Sequence, residues 1–88
     1  MKFTDLDFKP HPNWDGVQAK HFFDNGYGVS VIKSLNSYGG PDGLYELAVL
    51  KVVEEKCKVC YDTPITDDVI GYLTKEEVEA LLDQVKNL

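Results

Sequence analysis

Ser37-Tyr38-Gly39-Gly40-Pro41-Asp42-Gly43-Leu44-Tyr45-Glu46-Leu47-Ala48-Val49-Leu50 decides the fold. Its first half is almost entirely turn-forming residues. Its second half is the most apolar strand candidate in the chain, with Glu46 as the one charge between Leu44 and Leu50. Such a segment predicts a central strand, around which the rest must pack. The connection before it, residues 35–43, is longer than a simple hairpin needs. Loops of that kind are either well packed or functional, and Tyr38 lies in its middle.

On the C-terminal side, residues 44–61 predict a hairpin. Val52 and Val53 extend its first strand, Glu54-Glu55-Lys56 lie at the turn, and residues 57–61 return. On the N-terminal side, residues 17–34 predict another hairpin around Asn25-Gly26. That dipeptide favours a type I′ turn because both positions tolerate positive φ. A two-residue loop there sets Phe22 opposite Val29, Lys20 opposite Val31, Ala19 opposite Ile32, His21 opposite Ser30 and Phe23 opposite Gly28. Both faces of that hairpin are mixed, so alternation does not decide which one is covered.

The chain ends in a helix over residues 74–87. Thr74 and Glu77 form a capping box, and Leu73 with Val78 a hydrophobic staple. Val78, Leu81, Leu82 and Val85 fall on one stripe, with the acidic residues beside it. Before the helix, residues 62–73 form a connector. Within it, Thr66-Asp67-Asp68-Val69-Ile70 suggests one short helical turn, stopped by Gly71. Residues 1–16 read as an irregular arm. Phe3, Leu6 and Phe8 are its apolar anchors, Pro10 and Pro12 keep it extended, and Trp14 is placed to close the core. The expected fold is therefore α+β: one domain, residues 1–88, with an antiparallel sheet of about four strands in two hairpins and the C-terminal helix packed on one face.

A chain of 88 residues builds only a small core. Its 43% hydrophobic and 27% charged content is that of an ordinary globular protein. No apolar run approaches the length of a membrane span, and residues 1–5 lack the apolar core of a secretory leader. The two cysteines fit a reducing compartment at least as well as an oxidising one. Net charge is −6, and residues 61–88 hold seven of the 15 acids but two of the nine lysines. There is no arginine. Direct nucleic-acid binding is thereby disfavoured. The acidic third suits a basic partner surface, or simply water.

The candidate chemical motifs are weak. Cys57-Lys58-Val59-Cys60 has redox or half-zinc spacing, but in a strand its two thiols point to opposite faces. A metal held between two copies of the chain is the residual option. His21 has neither ligand spacing nor a partner nucleophile. Gly39-Gly40-Pro41-Asp42-Gly43 lacks both the phosphate-loop lysine and a following helix. Asp62, Asp67 and Asp68 lack the calcium-loop pattern and suit helix capping. No catalytic residue, metal site or cofactor is expected. The five tyrosines are different. Tyrosine framed by Gly, Asn and Ser gives rigid aromatic contact with adaptable polar neighbours, as at protein-binding surfaces. The expected partner-binding residues are Asn25, Tyr27, Tyr38, Gly39, Gly40, Asp42, Tyr61, Asp62, Asp67 and Asp68.

Three stretches carry a family resemblance. Residues 25–31 (Asn-Gly-Tyr-Gly-Val-Ser-Val), residues 37–49 of the opening segment, and residues 60–69 (Cys-Tyr-Asp-Thr-Pro-Ile-Thr-Asp-Asp-Val) resemble a group of small accessory proteins of tailed bacteriophages and prophages. The similarity covers most of the chain beyond residue 8, although residues 51–58 are longer than the short turn of that group. The group carries no assigned activity, so no functional residue is transferred. The resemblance implies a phage protein made in the bacterial host cytoplasm. Small, acidic phage proteins without enzymatic activity often block a host protein, including defence components such as CRISPR effectors. The leading expectation is such a non-catalytic blocker, with a host protein as partner, no membrane and a homodimer as a further option. The rivals are a binder that sequesters a signalling nucleotide and a minor phage structural or assembly protein.

Overall fold

A computed structural model of the chain describes residues 1–10, 15–35, 37–53, 56–59 and 69–88. Trp14, Cys60 and the 61–68 segment with Tyr61, Asp62, Asp67 and Asp68 lie outside the described residues. The elements run β1 (Lys9–Pro10), β2 (Gly16–Phe22), β3 (Tyr27–Ser34), β4 (Tyr45–Val53), β5 (Lys56–Val59), β6 (Ile70–Leu73) and α1 (Lys75–Lys86). The sheet is antiparallel, in the order β1-β2-β3-β4-β5, and β6 also pairs with β4. β5 takes Leu50 to Val53 of β4, and β6 takes Tyr45 and Leu47. Six strand segments thus fill five positions, because nine-residue β4 is long enough to hold two short neighbours along one edge. The two strands beyond the expected four come from the N-terminal arm and the connector. β1 ends in Pro10, which lacks an N–H and suits an outer edge.

Odd-numbered residues of the central strands face the helix. Ala19, Val29, Val31, Tyr45, Leu47 and Val49 meet Val78, Leu82 and Val85 of α1, with Leu6 and Leu73 closing the margins. Five of the seven largest fully buried side chains are valines. Three of them, Val29, Val31 and Val49, lie on strands, whose pleated surface favours β-branched residues, and two lie on α1. The helix begins as its capping box dictates: Thr74 Oγ1 accepts from Glu77 N at 3.2 Å, and Thr74 N donates to Glu77 Oε1 at 3.1 Å. Glu79, beside the apolar stripe, accepts from Phe3 N at 2.7 Å and so ties the arm to α1. There Phe3, Phe8 and Tyr45 pack as three rings with centroids 5.0–5.6 Å apart.

The first hairpin differs from expectation by one residue. Phe22 pairs with Gly28, His21 with Val29 and Ala19 with Val31. The loop is three residues, with Gly26 N donating to Phe23 O at 3.4 Å and Gly26 at φ 84°. This is a type I turn closed by a left-handed residue, in place of the type I′ turn. The shift has a clear physical reason. With equal parity across the ladder, Ala19, Val29 and Val31 fall on one face together with Leu47 and Val49; the two-residue register would have split them. Phe22, not Phe23, lies over Gly28, where a Cβ would stand 2.6 Å from the Phe22 ring. His21 is half-buried and packs edge-on against Phe23 at 4.8 Å.

Asn25 explains why the loop is held in this form. Its Nδ2 donates to Val85 O at 2.9 Å and Lys86 O at 3.0 Å, while its Oδ1 accepts from Tyr27 N at 3.0 Å. One side chain therefore shapes the turn and adds a donor at the C-terminal carbonyls of α1, of which Val85 O also accepts from Leu88 N. Asn25→Ala, which removes both roles, should lower stability by about 1–2 kcal/mol. The check is urea unfolding, and the loss should exceed that of Asp24→Ala in the same turn.

Candidate partner-binding surface

The loop between β3 and β4 is tightly closed. Ser37 Oγ accepts from Ser34 N at 2.9 Å and donates to Ser34 O at 3.0 Å. Gly39 at φ 86° and Gly43 at φ 78° flank a single 3-10 turn over Gly40–Asp42. Both positions favour glycine on conformational grounds. Gly40 is fixed by space, since a Cβ there would run into Ser34 O. The amides of Gly40, Asp42, Gly43 and Leu44 donate to Ser37 O, Gly39 O, Gly40 O and Gly39 O respectively. Donors that a phosphate would need are thus consumed inside the loop.

Tyr38 stands on this frame with its side chain exposed, at 61%. Its carbonyl accepts from Tyr72 N at 3.1 Å. A Cβ on Gly71 would collide with Tyr38 Cβ, and one on Gly39 would stand 3.1 Å from the Tyr72 ring. The loop and β6 therefore fit backbone against backbone, each offering a glycine to the other's tyrosine.

β6 corrects the expected helical turn over its first residue. Ile70 and Leu73 pair with Leu47 and Tyr45, with a register shift between them. Both pack on the core. They are three residues apart, so a regular strand would turn them to opposite faces. Gly71 and Tyr72, set against Glu46 alone, form a β-bulge that absorbs the mismatch. Tyr72 takes φ 57° there, and it is the one non-glycine residue with positive φ among the described residues. A bulky side chain in that region costs about 1–2 kcal/mol. The bulge turns Tyr72 away from the core, and it is 61% exposed. Leu35, at the start of the loop, is exposed by 68%.

The structure thus gathers Tyr38, Gly39, Gly40 and exposed Asp42 at one end of the sheet. Gly39 and Gly40 serve as frame, Tyr38 and Asp42 as surface. Asn25 and Tyr27 lie at the opposite end. Asn25 is engaged on the helix terminus, and Tyr27 is half-buried, with Lys51 Nζ 5.6 Å from its ring centre. Sequence reasoning did not select Tyr72 and Leu35. No local signal singled out Tyr72, because Ile70 and Leu73 would share a face in a short helical turn as well as in a bulged strand, and only pairing with β4 decides between them. Cys57 lies in β5 opposite Val52. No group of three His, Cys, Asp or Glu side chains among the described residues is arranged to hold a metal ion, and no helix there is long and apolar enough to cross a membrane. Comparison with protein families, curated proteins and solved structures finds no match.

Tyr72→Gly should raise stability by about 1 kcal/mol, because glycine adopts this φ freely and the lost ring is largely in water. Thermal unfolding monitored by circular dichroism checks the sign. Tyr72→Ala retains the strain and should show no such gain.

Proposed function

We propose that this chain is a non-catalytic binding protein that docks on another protein through the Tyr38–Tyr72 surface and blocks it. The observation that carries this reading is the bulged Tyr72. A strained backbone position holds an exposed aromatic beside a second exposed aromatic, on a loop without slack. Strain of this kind clusters where a side chain must be aimed, and tyrosines held rigid before contact lose little entropy on binding. The resemblance to phage accessory proteins supplies the setting. The partner is then a host protein in the bacterial cytoplasm, with defence components such as CRISPR effectors among the candidates. The nucleotide-sequestering alternative draws less support, because the loop amides suited to a phosphate are already paired. The assembly-protein alternative predicts that the chain is found in mature virions.

Affinity capture from bacterial lysate, with the protein immobilised, tests the proposal. The wild-type chain should retain a specific partner. Tyr38→Ala and Tyr72→Gly should each weaken retention about thirtyfold, as for hot-spot tyrosines. Tyr72→Gly is the decisive variant, since it is expected to be more stable than the parent. A partner held equally well by both variants would overturn the docking surface.

A further inference from the structure

Four tyrosines lie among the described residues, and they divide into two pairs. Tyr45 has Lys33 Nζ 5.3 Å from its ring centre, and Tyr27 has Lys51 at 5.6 Å. Lys75 is placed likewise over Phe3, at 5.8 Å. These are cation–π distances. The inner rings are thus supplied with cations from the chain itself. Tyr38 and Tyr72 carry no such partner among the described residues. Residues 37–46 and 70–74, the segments that carry these two tyrosines, contain no lysine. They do contain Asp42, exposed at the loop tip. The surface therefore offers two aromatic faces and the exposed Asp42 carboxylate, on a chain of net charge −6.

We propose that the partner segment seated on Tyr38 and Tyr72 presents arginine, a step that rests on the docking role given to this surface above. Guanidinium is planar and weakly hydrated, so it lies flat on a tyrosine ring while donating to a carboxylate. Lysine has only the point charge. The chain contains no arginine of its own, so a second copy cannot supply this group. The cation comes from a different protein.

The test uses the 15N-labelled chain at low salt and three blocked pentapeptides in which glycine alternates with arginine, lysine or glutamate. The arginine peptide should shift the amides of Gly39, Gly71 and Tyr72 saturably, and the glutamate peptide should not. Lysine should bind more weakly than arginine. Tyr72→Gly, which leaves the charge unchanged, should weaken arginine binding about fivefold, the size of one exposed cation–π contact. Raising the salt should weaken it further. Shifts that map to Glu76 and Glu77 on α1, or that survive unchanged in Tyr72→Gly, would overturn the inference by revealing charge attraction alone. Concentration-dependent shifts of the same amides without peptide would assign the surface to a second copy and overturn it as well. A Tyr72-dependent partner captured from lysate by a chain that ignores the arginine peptide would remove arginine and leave the docking surface standing.

Discussion

The constraint on which the rest depends is parity along β4. Tyr45, Leu47 and Val49 must all face α1, because a core this small cannot spare any of them. Every neighbour of β4 is then forced to match. β3 complies by alternation, and it sets β2 through the three-residue turn at Asn25. β6 cannot comply by alternation, since its two apolar residues are an odd number apart. It complies by bulging. The register of the first hairpin and the deformation of the last strand are thus two answers to one demand for a single apolar face.

Those two answers lie at opposite ends of the sheet and have different consequences. At the Asn25 end, the extra loop residue brings an amide within reach of the helix terminus, and the polar groups there satisfy one another. That end is consumed by folding. At the other end, the bulge pushes Tyr72 outward, and the Gly39–Gly40 loop comes up to meet it. The polar backbone is again satisfied, but the aromatic side chains are left over. A rigid support beneath exposed rings is what an interface needs if ordering costs are to stay low. The chain therefore separates scaffold from surface by position along β4.

Local chemistry made part of this legible in the sequence. Thr74 and Glu77 announce the helix start within four residues, and the apolar run from Leu44 to Leu50 announces the central strand. The turn glycines marked residues 35–43 as a loop, but left open whether it was well packed or functional. What escaped was set by contacts distant in sequence. Asn25-Gly26 is compatible with both a two-residue and a three-residue loop, and the choice depends on carbonyls sixty residues away, at Val85 and Lys86. Residues 70–73 have no strand signature of their own, because glycine and a left-handed tyrosine interrupt it; only pairing with β4 makes them a strand. Tyr72 went unselected for that reason, whereas Tyr38 stands in a loop whose turn residues are visible in the sequence.

Packing accounts for the bulge but not for the tyrosine in it. Two adjacent positions there favour glycine: residue 71 because a Cβ would strike Tyr38, and residue 72 because its φ is left-handed. The sequence places glycine at the first and a large aromatic at the second. Since the ring lies mostly in solvent, it recovers little burial energy to offset about 1–2 kcal/mol of backbone strain. Glycine would serve the fold better at that site. The three rings Phe3, Tyr27 and Tyr45 sharpen the contrast, because each is packed into the core margin and approached by a lysine of the same chain. Tyr72 lies instead against the bare backbone of Gly39, with no lysine over its ring among the described residues, and a side chain held there against the preference of its own backbone is what the proposed docking role calls for.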